Sequence, residues 1–241
     1  MKSKSVVMLS GGMDSTVALL LAMEQSEVVS AVSFEYGQFH AEEELAQARK
    51  IAGVFNVPWQ KVRLEDVFKL TDSALLSGVA MDKTLDSGLP SVFTPGRNIF
   101  FVLSAAMIAQ RLGATQVYGG FCGDDEDGFP DCRQETLVSI ENTVRLGYDF
   151  PEFSIESPLL DYYKDDIFEL AQLHNKLGFI IEHTHTCYNG DRSPSSRHEW
   201  GYGCNTCPSC EKRRVGWKTF IEFTWNGGKP YDELMSFDEK L

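Results

Sequence analysis

The stretch that decides the fold reads Ser-Val-Val-Met-Leu-Ser-Gly-Gly-Met-Asp-Ser-Thr-Val-Ala-Leu-Leu at residues 5–20. Its apolar run from Val6 to Leu9 is short and stops near a glycine pair, which is typical of a buried parallel strand before a tight turn. The run from Thr16 to Met23 is rich in helix formers, and Asp14 and Ser15 stand where an N-cap and first turn are expected. The sequence therefore predicts a strand, a turn and a helix in close succession.

The turn between them, Ser10 to Ser15, brings small residues and free backbone N–H groups to a helix N-terminus. Such a terminus carries a partial positive charge, so it suits a phosphate or pyrophosphate. Gly11 and Gly12 lack side chains that would hold the anion away from the backbone, and the serine hydroxyl groups add hydrogen bonds. No Gly-Lys-Ser/Thr follows, so this is not a Walker loop, and Gly-Gly also occurs in ordinary strand-to-helix turns.

Length, composition and charge narrow the class of protein. The 241 residues suffice for one sizeable α/β domain, and the 43% apolar content supports a packed core. No apolar run reaches the ~18 residues of a membrane span and the N-terminus does not resemble a signal peptide, so we expect a cytoplasmic protein. The net charge of −13 argues against broad nucleic-acid binding, although Lys212-Arg213-Arg214 is a locally basic cluster.

Strand-like and helix-like runs alternate along the chain. Strands are predicted at 28–34, 59–64 and 116–121, helices at about 40–54 and at 100–112, and a further helix begins within 158–170. This alternation predicts an α/β fold with a doubly wound parallel sheet, in which ligands bind beyond the carboxyl ends of the strands. Residues 10–15, 35–40 and 120–133 each follow a predicted strand, so we expect them to line one crevice. Residues 1–180 are assigned to this nucleotide-binding domain.

An acidic, glycine-rich segment runs from Gly119 to Arg133 and starts where a strand is predicted to end. One interpretation is a solvated surface loop, with or without a divalent ion. The other is a set of carboxylates that binds the N–H edge of a polar heterocycle. The candidates are Asp125, Asp127, Asp131 and Arg133.

Lys164 lies in the first turn of a predicted helix, where a cation is poorly placed for the helix dipole. That cost is small for an ordinary surface lysine, so one interpretation assigns the residue no special role. The other is that its side chain reaches toward the phosphates of a bound nucleotide.

Four of the six cysteines crowd together in the pattern Cys187-x16-Cys204-x2-Cys207-x2-Cys210. In a reducing compartment this spacing favours metal ligation over disulfides, and four soft ligands suit a closed, structural zinc site. An iron–sulfur cluster is the alternative, but the string lacks the fourth cysteine and following proline of ferredoxin motifs. Residues 181–241 are therefore expected to form a small zinc-binding region with a C-terminal helix. The nearby His183, His185 and His198 read as ordinary loop histidines.

Together these motifs resemble those of the 7-cyano-7-deazaguanine synthase family, within the ATP-pyrophosphatase superfamily. The matching strings are Ser10 to Ser15, Tyr36-Gly37-Gln38 with His40, Pro95 to Asn98, Gly128 to Arg133, Cys187 to Gly190, and Cys204-x2-Cys207-x2-Cys210. They occur in this order along most of the chain. The Ser-Gly-Gly-x-Asp-Ser string is similar to the pyrophosphate loop of the superfamily, whose members split ATP between its α- and β-phosphates.

The resemblance implies a Rossmann-like fold of the adenine-nucleotide hydrolase type and an ATP-dependent ligase. The implied reaction adenylates 7-carboxy-7-deazaguanine, forms an amide with ammonia, and dehydrates the amide to the nitrile preQ0 after a second activation. ATP with Mg²⁺ is the implied co-substrate, four cysteines hold one zinc ion, and members of the family are usually homodimers.

The residue patterns described above and the resemblance together assign roles to individual residues. Asp14, Ser15 and Lys164 are expected to be catalytic. The expected nucleotide-binding set is Leu9, Ser10, Gly11, Gly12, Met13, Asp14, Ser15, Thr16 and Arg97. The expected deazaguanine-binding set is Tyr36, Gln38, His40, Asp125, Asp127, Phe129, Asp131 and Arg133. The expected metal ligands are Cys187, Cys204, Cys207 and Cys210.

Three features depart from the usual pattern of the family. The gap between Cys187 and Cys204 is roughly twice the usual length, with residues 193–200 as the excess. Gly123-Asp124-Asp125 replaces a common Glu-Thr-Asp, and Phe39 stands where a basic residue is common. A second hypothesis is therefore a related ligase that joins the deazaguanine carboxylate to another amine, such as a protein amine. A third hypothesis is a non-catalytic module that binds a nucleotide and zinc. The excess of acidic over basic residues disfavours a relative that modifies tRNA.

Overall fold

A computed structural model describes residues 2–77, 81–126 and 128–224. The strands are β1 (Lys4–Met8), β2 (Glu27–Glu35), β3 (Trp59–Arg63), β4 (Gln116–Tyr118), β5 (Ser154–Glu156), β6 (Arg197–His198) and β7 (Gly201–Tyr202). The helices are α1 (Met13–Gln25), α2 (Ala41–Val54), α3 (Glu65–Phe68), α4 (Ala74–Ser77), α5 (Arg97–Leu112), α6 (Gly123–Glu126), α7 (Gln134–Gly147), α8 (Lys164–Leu173), α9 (Leu177–His183) and α10 (Pro208–Thr219). Short 3₁₀ turns occupy Pro130–Cys132 and Pro194–Ser196, and a π-helical turn occupies Phe220–Thr224.

The central sheet is parallel and has the strand order β3-β2-β1-β4-β5 within the described residues. This confirms the predicted doubly wound sheet. From β1 the chain moves outward through β2 to β3, and then crosses back to β4 on the other side of β1. The direction of winding therefore reverses between β1 and β4, and the carboxyl ends of these two strands border the position where such sheets bind ligands.

Alternate residues of β1 pack into two different cores. Val6 lies in the core covered by α5 and α7, whereas Val7 lies in the core covered by α1 and α2. The α5 helix fits closely against the sheet because it buries small residues such as Ala105 and Ala106. It ends at Gly113, whose φ of 67° is typical of a helix C-terminus.

A third core joins the cysteine region to the nucleotide-binding half of the chain. Residues of α1, α8, α9 and α10 share it with four buried cysteines and with Trp200 and Trp217. The division between residues 1–180 and 181–241 stays a prediction; its boundary falls inside α9, and residues 225–241 lie outside the described part of the chain.

Several elements differ from their predicted limits. The α1 helix begins at Met13 with Gly12 as its N-cap, because Gly11, at a φ of 89°, completes the turn before Asp14 is reached. The predicted N-cap position was therefore too late by about half a turn. The β4 strand stops at Tyr118, before the predicted end at 121, and none of the described helices is long and apolar enough to cross a bilayer.

Candidate active site

The Ser10–Ser15 turn, called here the pyrophosphate loop, is held between two elements of backbone. A Cβ atom on Gly11 would lie 2.6 Å from the carbonyl oxygen of Glu44 and 2.8 Å from the amide nitrogen of Ala48. On the other side, a Cβ atom on Gly120 would lie 2.6 Å from the amide nitrogen of Ser15. Only glycine fits at either position, so α2 and the end of β4 fix the shape of the loop.

Hydrogen bonds within the loop leave the N-terminus of α1 ready for an anion. The hydroxyl oxygens of Ser10 and Ser15 lie 2.9 Å apart, and the hydroxyl of Thr16 donates to the carbonyl of Gly12 at 2.7 Å. The backbone N–H of His185 donates to the carbonyl of Gly11 at 2.8 Å. The first-turn N–H groups of α1 have no intrahelical partner, so a phosphate group suits them.

Asp14 forms a buried ion pair with Lys164. The Lys164 Nζ lies 2.9 Å from Asp14 Oδ1 and 3.1 Å from the Sγ of Cys122, and Lys164 is 5% exposed. Burial alone would lower the pKa of Lys164, but neighbouring groups, with the charge of Asp14 foremost and that of Asp125 adding to it, together outweigh burial and raise that pKa well above its ordinary value. The surface-lysine interpretation is therefore wrong, while a role of Lys164 toward phosphates stays a prediction.

The acidic segment is anchored to the body of the protein. Asp124 Oδ2 accepts the backbone N–H of Lys164 at 2.9 Å, and Asp125 Oδ1 lies 3.3 Å from the Nζ of Lys212. Burial alone would raise the pKa of Asp125, but the ammonium groups of Lys164 and Lys212 outweigh it and lower that pKa. The interpretation as a solvated surface loop is wrong for residues 123–126, and Asp127 lies outside the described residues.

A cavity of about 210 Å³ opens at the carboxyl edge of the sheet. The three segments expected to share a crevice each contribute to its wall, through Ser10, Tyr36 and Asp125 among others. The predicted site residues in this wall are Leu9, Ser10, Gly12, Asp14, Ser15, Tyr36, His40, Arg97 and Asp125. Other described residues of the predicted nucleotide and deazaguanine sites lie outside this wall. They are Gly11, Met13, Thr16, Gln38, Phe129, Asp131, Arg133 and Lys164.

Some of the residues behind the wall have internal contacts that give them structural tasks. The Nε2 of Gln38 donates to the carbonyl of Phe34, and its Oε1 accepts the N–H of Tyr36, so Gln38 closes the turn after β2. Asp131 Oδ2 accepts the N–H of Asn98 at 3.0 Å, in the first turn of α5. Arg133 Nε donates to the carbonyl of Glu126 at 3.1 Å. Contacts of these residues with substrate stay predictions.

His185 is a cavity residue that the sequence interpretation missed. It is 2% exposed, its Nε2 lies 3.0 Å from the carbonyl oxygen of Cys187, and its Nδ1 has no hydrogen-bond partner among the described residues. Burial lowers the pKa of His185 to about 4, so the ring is neutral near pH 7. Glu44, also in the wall, was missed too; its Oε2 is 3.5 Å from the Nε2 of His40, and the i,i+4 spacing was the available signal.

The four cysteines meet as predicted. The Sγ atoms of Cys187, Cys204, Cys207 and Cys210 all lie within 4.8 Å of one another. The backbone N–H groups of Cys204 and Cys207 donate to the sulfur atoms of Cys187 and Cys204, at 3.4 Å and 3.3 Å. Hydrogen bonds of this kind stabilise thiolates and orient them toward a metal ion. The residues therefore fit a metal held by four sulfur ligands.

Residues 193–200, the excess in the cysteine gap, support the cysteine site instead of forming a free loop. Arg197 pairs with Glu182 of α9, β6 pairs with β7, and Trp200, 4% exposed, packs in the core around the cysteines. His198 stacks on Trp200 with ring centroids 4.5 Å apart, and it lies in β6 instead of the loop expected for it. None of these residues contributes to the cavity wall, so their influence on the amine acceptor stays a prediction.

The α10 helix connects the cysteine site with the cavity. It starts after Cys207, places Ser209 in the cavity wall, and passes so close to α8 that a Cβ atom on Gly216 would lie 2.3 Å from the Cβ of Lys164. Arg213 is fully buried and donates to the carbonyls of Trp200 and Ile180 and to the hydroxyl of Thr186. Since Lys212 pairs with Asp125 and Arg213 is buried, the Lys212-Arg213-Arg214 cluster is not an open basic patch.

A family model and curated relatives match this protein along nearly the whole described chain. A family model described as queuosine biosynthesis protein QueC matches residues 4–221. The curated 7-cyano-7-deazaguanine synthase of Parvibaculum lavamentivorans is 38% identical over 234 residues, which cover 91% of this chain and 96% of that protein. The enzyme of the same name from Wolinella succinogenes is 39% identical over 222 residues, which cover 90% and 94% of the two chains.

Among solved structures, a 4-thiouridine synthetase in an RNA complex with bound ATP has a TM-score of 0.53 and 19% identity. The match covers 97% of this chain and 53% of that one, so this chain spans about half of that protein. At this identity the likeness concerns the fold alone. The matching family model and the curated relatives, which match over nearly their whole length, establish the family. The chain belongs to the queuosine biosynthesis protein QueC family.

Proposed function

We propose that this protein is an ATP-dependent carbon–nitrogen ligase that converts 7-carboxy-7-deazaguanine and ammonia to 7-cyano-7-deazaguanine through the amide. The observation that carries the proposal is that the pyrophosphate loop and the aromatic side chains of Phe34, Tyr36 and Phe101 line one common cavity. Membership of the family and the names of the curated relatives support the same product. ATP enters as its Mg²⁺ complex, and the ion helps to neutralise the phosphate charge.

In the proposed first step, a carboxylate oxygen of the acid attacks the α-phosphorus of ATP, and the bond to the bridging oxygen breaks to release pyrophosphate. The N-terminus of α1 and the hydroxyl groups of Ser10 and Ser15 would hold the leaving pyrophosphate, where negative charge increases. Lys164 offsets the charge of Asp14, so that this carboxylate repels the nucleotide less.

In the later steps, ammonia attacks the acyl carbon, AMP leaves with the bonding electron pair, and loss of a proton gives the amide. The amide oxygen then attacks the α-phosphorus of a second ATP and releases a second pyrophosphate. This oxygen departs with AMP as the nitrogen loses its two protons and the nitrile forms. Glu44, His40 and His185 supply hydrogen-bonding groups to the wall near the loop, as a site for a small amine requires.

The proposed metal is one structural zinc ion. The four sulfur atoms lie close enough together to bind one ion, and four such ligands would leave no open position for catalysis. When bound, zinc would tie the chain around Cys187 to the start of α10. Iron and inorganic sulfide in the purified protein would contradict this assignment.

The test combines purified protein with ATP, ammonium and 7-carboxy-7-deazaguanine, followed by measurement of AMP, pyrophosphate and product mass. We expect AMP formation that depends on the acid, and a product with the mass of the nitrile. The matched control is α,β-methylene-ATP, which binds but cannot be split between the α- and β-phosphates. Formation of ADP, or AMP formation without the acid, would contradict the proposal, and acid-dependent AMP without the nitrile would favour another amine acceptor.

A further inference from the structure

Arg97 carries a positive charge that no ion pair within the described residues neutralises. It is the first residue of α5, is partly buried and lies in the cavity wall. Among the described residues, no carboxylate oxygen lies within 4.0 Å of its guanidinium nitrogens. The Tyr36 side chain hydrogen-bonds Arg97, and the charge of Asp131 acts on it from beyond ion-pair distance. A partly buried cation with no carboxylate in contact is nevertheless suited to an anion that arrives with a ligand.

The immediate surroundings of Arg97 are aromatic. Its guanidinium carbon lies 6.0 Å from the ring centroid of Tyr36 and 5.8 Å from that of Phe129. Phe34 and Phe101 stack beside them, with centroids 4.2 Å apart and an angle of 6° between the rings. Since Tyr36, Phe34 and Phe101 all line the cavity, a flat apolar surface adjoins the charge.

Arg97 and the pyrophosphate loop approach the cavity from opposite faces of the sheet. The α5 helix that carries Arg97 packs in the core that contains Val6, whereas α1 contributes Leu19 to the core that contains Val7. The loop also has its own groups for phosphate at the N-terminus of α1. An anion at Arg97 is therefore separate from the phosphates at the loop, yet both lie within one cavity.

We infer that Arg97 binds the carboxylate of a planar heterocyclic acid and selects the acid over neutral analogues, instead of binding the phosphates of ATP. The inference rests on the proposed function, since it names the group that recognises the acid. The planar guanidinium matches the two oxygens of a carboxylate, and the aromatic wall matches the planar ring. Because the amide intermediate is neutral, Arg97 acts in the first activation and contributes little to the second.

The test is calorimetric titration of wild-type protein, Arg97→Met and Arg97→Lys with three ligands. These ligands are 7-carboxy-7-deazaguanine, the neutral 7-amido-7-deazaguanine, and α,β-methylene-ATP with Mg²⁺. For Arg97→Met we expect affinity for the acid to fall about 10- to 100-fold, because a charged hydrogen-bonded pair is lost. Affinities for the amide and for the nucleotide should stay within about twofold, and Arg97→Lys should fall between the other two proteins.

Arg111→Met is the matched control, because Arg111 lies on the same helix, is exposed, and donates to Gln60 at the far end from the cavity. It should bind all three ligands like wild type. Equal losses of acid and amide affinity in Arg97→Met, or loss of nucleotide affinity with the preference for acid retained, would overturn the inference. If Arg97→Met does not fold, the affinities of Arg97→Lys for the acid and for the amide decide instead. An unchanged ratio of these two affinities in Arg97→Lys would overturn the inference.

A second readout separates this inference from the proposed function. In Arg97→Met, conversion of supplied acid to amide should slow about 10-fold or more, while conversion of supplied amide to nitrile should keep its wild-type rate. If wild-type protein forms no AMP from the acid, the proposed function fails and the inference falls with it. If wild type is active and Arg97→Met slows both conversions equally, only the inference fails.

Discussion

Replacing Asp14 with Asn removes the charge that pairs with Lys164 while keeping the size of the side chain. Lys164 is 5% exposed, so its ammonium group would remain inside the protein with the sulfur of Cys122 at 3.1 Å. Removing one partner of a buried pair costs about 3–5 kcal/mol because the other charge is left unpaired. The side chain of Asp14 is 20% exposed and asparagine keeps one acceptor oxygen, so we expect a loss near the lower end, about 3 kcal/mol.

The assay is urea unfolding of wild type, Asp14→Asn, Lys164→Met and the double variant. Lys164→Met should lose less stability than Asp14→Asn, because the remaining carboxylate of Asp14 keeps contact with water. The double variant should be more stable than the sum of the single losses predicts, by about 2 kcal/mol. Additive losses, or an Asp14→Asn protein within about 0.5 kcal/mol of wild type, would refute the ion-pair argument.

The dependence on pH has a definite sign. Because the pKa of Lys164 is raised in the folded protein, the stabilisation is present below the ordinary lysine pKa and is lost only as the pH rises through the folded value. In wild type, titration of Lys164 should therefore leave the free energy of unfolding unchanged from about pH 6 to 9, as urea unfolding across this range can check. Loss of AMP formation in Asp14→Asn is informative only for protein shown to be folded under the assay conditions.

The remaining predictions concern the metal, the extra segment and the loop. Cys207→Ser should lower metal content and melting temperature together, because metal-binding energy is folding energy at such a site; full metal occupancy in the variant would contradict this. Shortening the exposed turn at residues 193–196 while keeping Trp200 should leave acid-dependent AMP formation intact, and product mass will show whether the amine used has changed. Gly120→Ala should cost about 1–3 kcal/mol in urea unfolding, because the new Cβ atom would overlap the backbone of the pyrophosphate loop. Gly53→Ala, where a Cβ atom meets nothing within 4 Å, is its control and should be neutral or stabilising.

The elements nearest the pyrophosphate loop were predictable because their signals are local. The apolar run of β1, the glycine pair and the helix formers of α1 adjoin each other, so no distant contact is needed to interpret them. The β5 strand has three residues and no alternation long enough to detect. The α7 helix carries Leu137, Ile140 and Val144 at helical spacing, a signal that the sequence interpretation did not use.

The chemistry of the site was less predictable, because it depends on contacts between distant parts of the chain. Lys164 and Asp14 are 150 positions apart, so nothing in the sequence near Lys164 indicates that it is buried and paired. His185 resembles any loop histidine until the loop is placed against Gly11. Asp131 fits a substrate-binding pattern, yet the structure uses one of its oxygens to hold the start of α5.

The position of α10 has a consequence for how the enzyme matures in the cell. One helix starts at the cysteine ligands, supplies Ser209 to the cavity and packs against Lys164 at Gly216. If the four cysteines hold a metal ion as proposed, its binding would add a further anchor at the start of this helix and so help to shape the cavity. Activity would then depend on metal supply as well as on the amount of protein made.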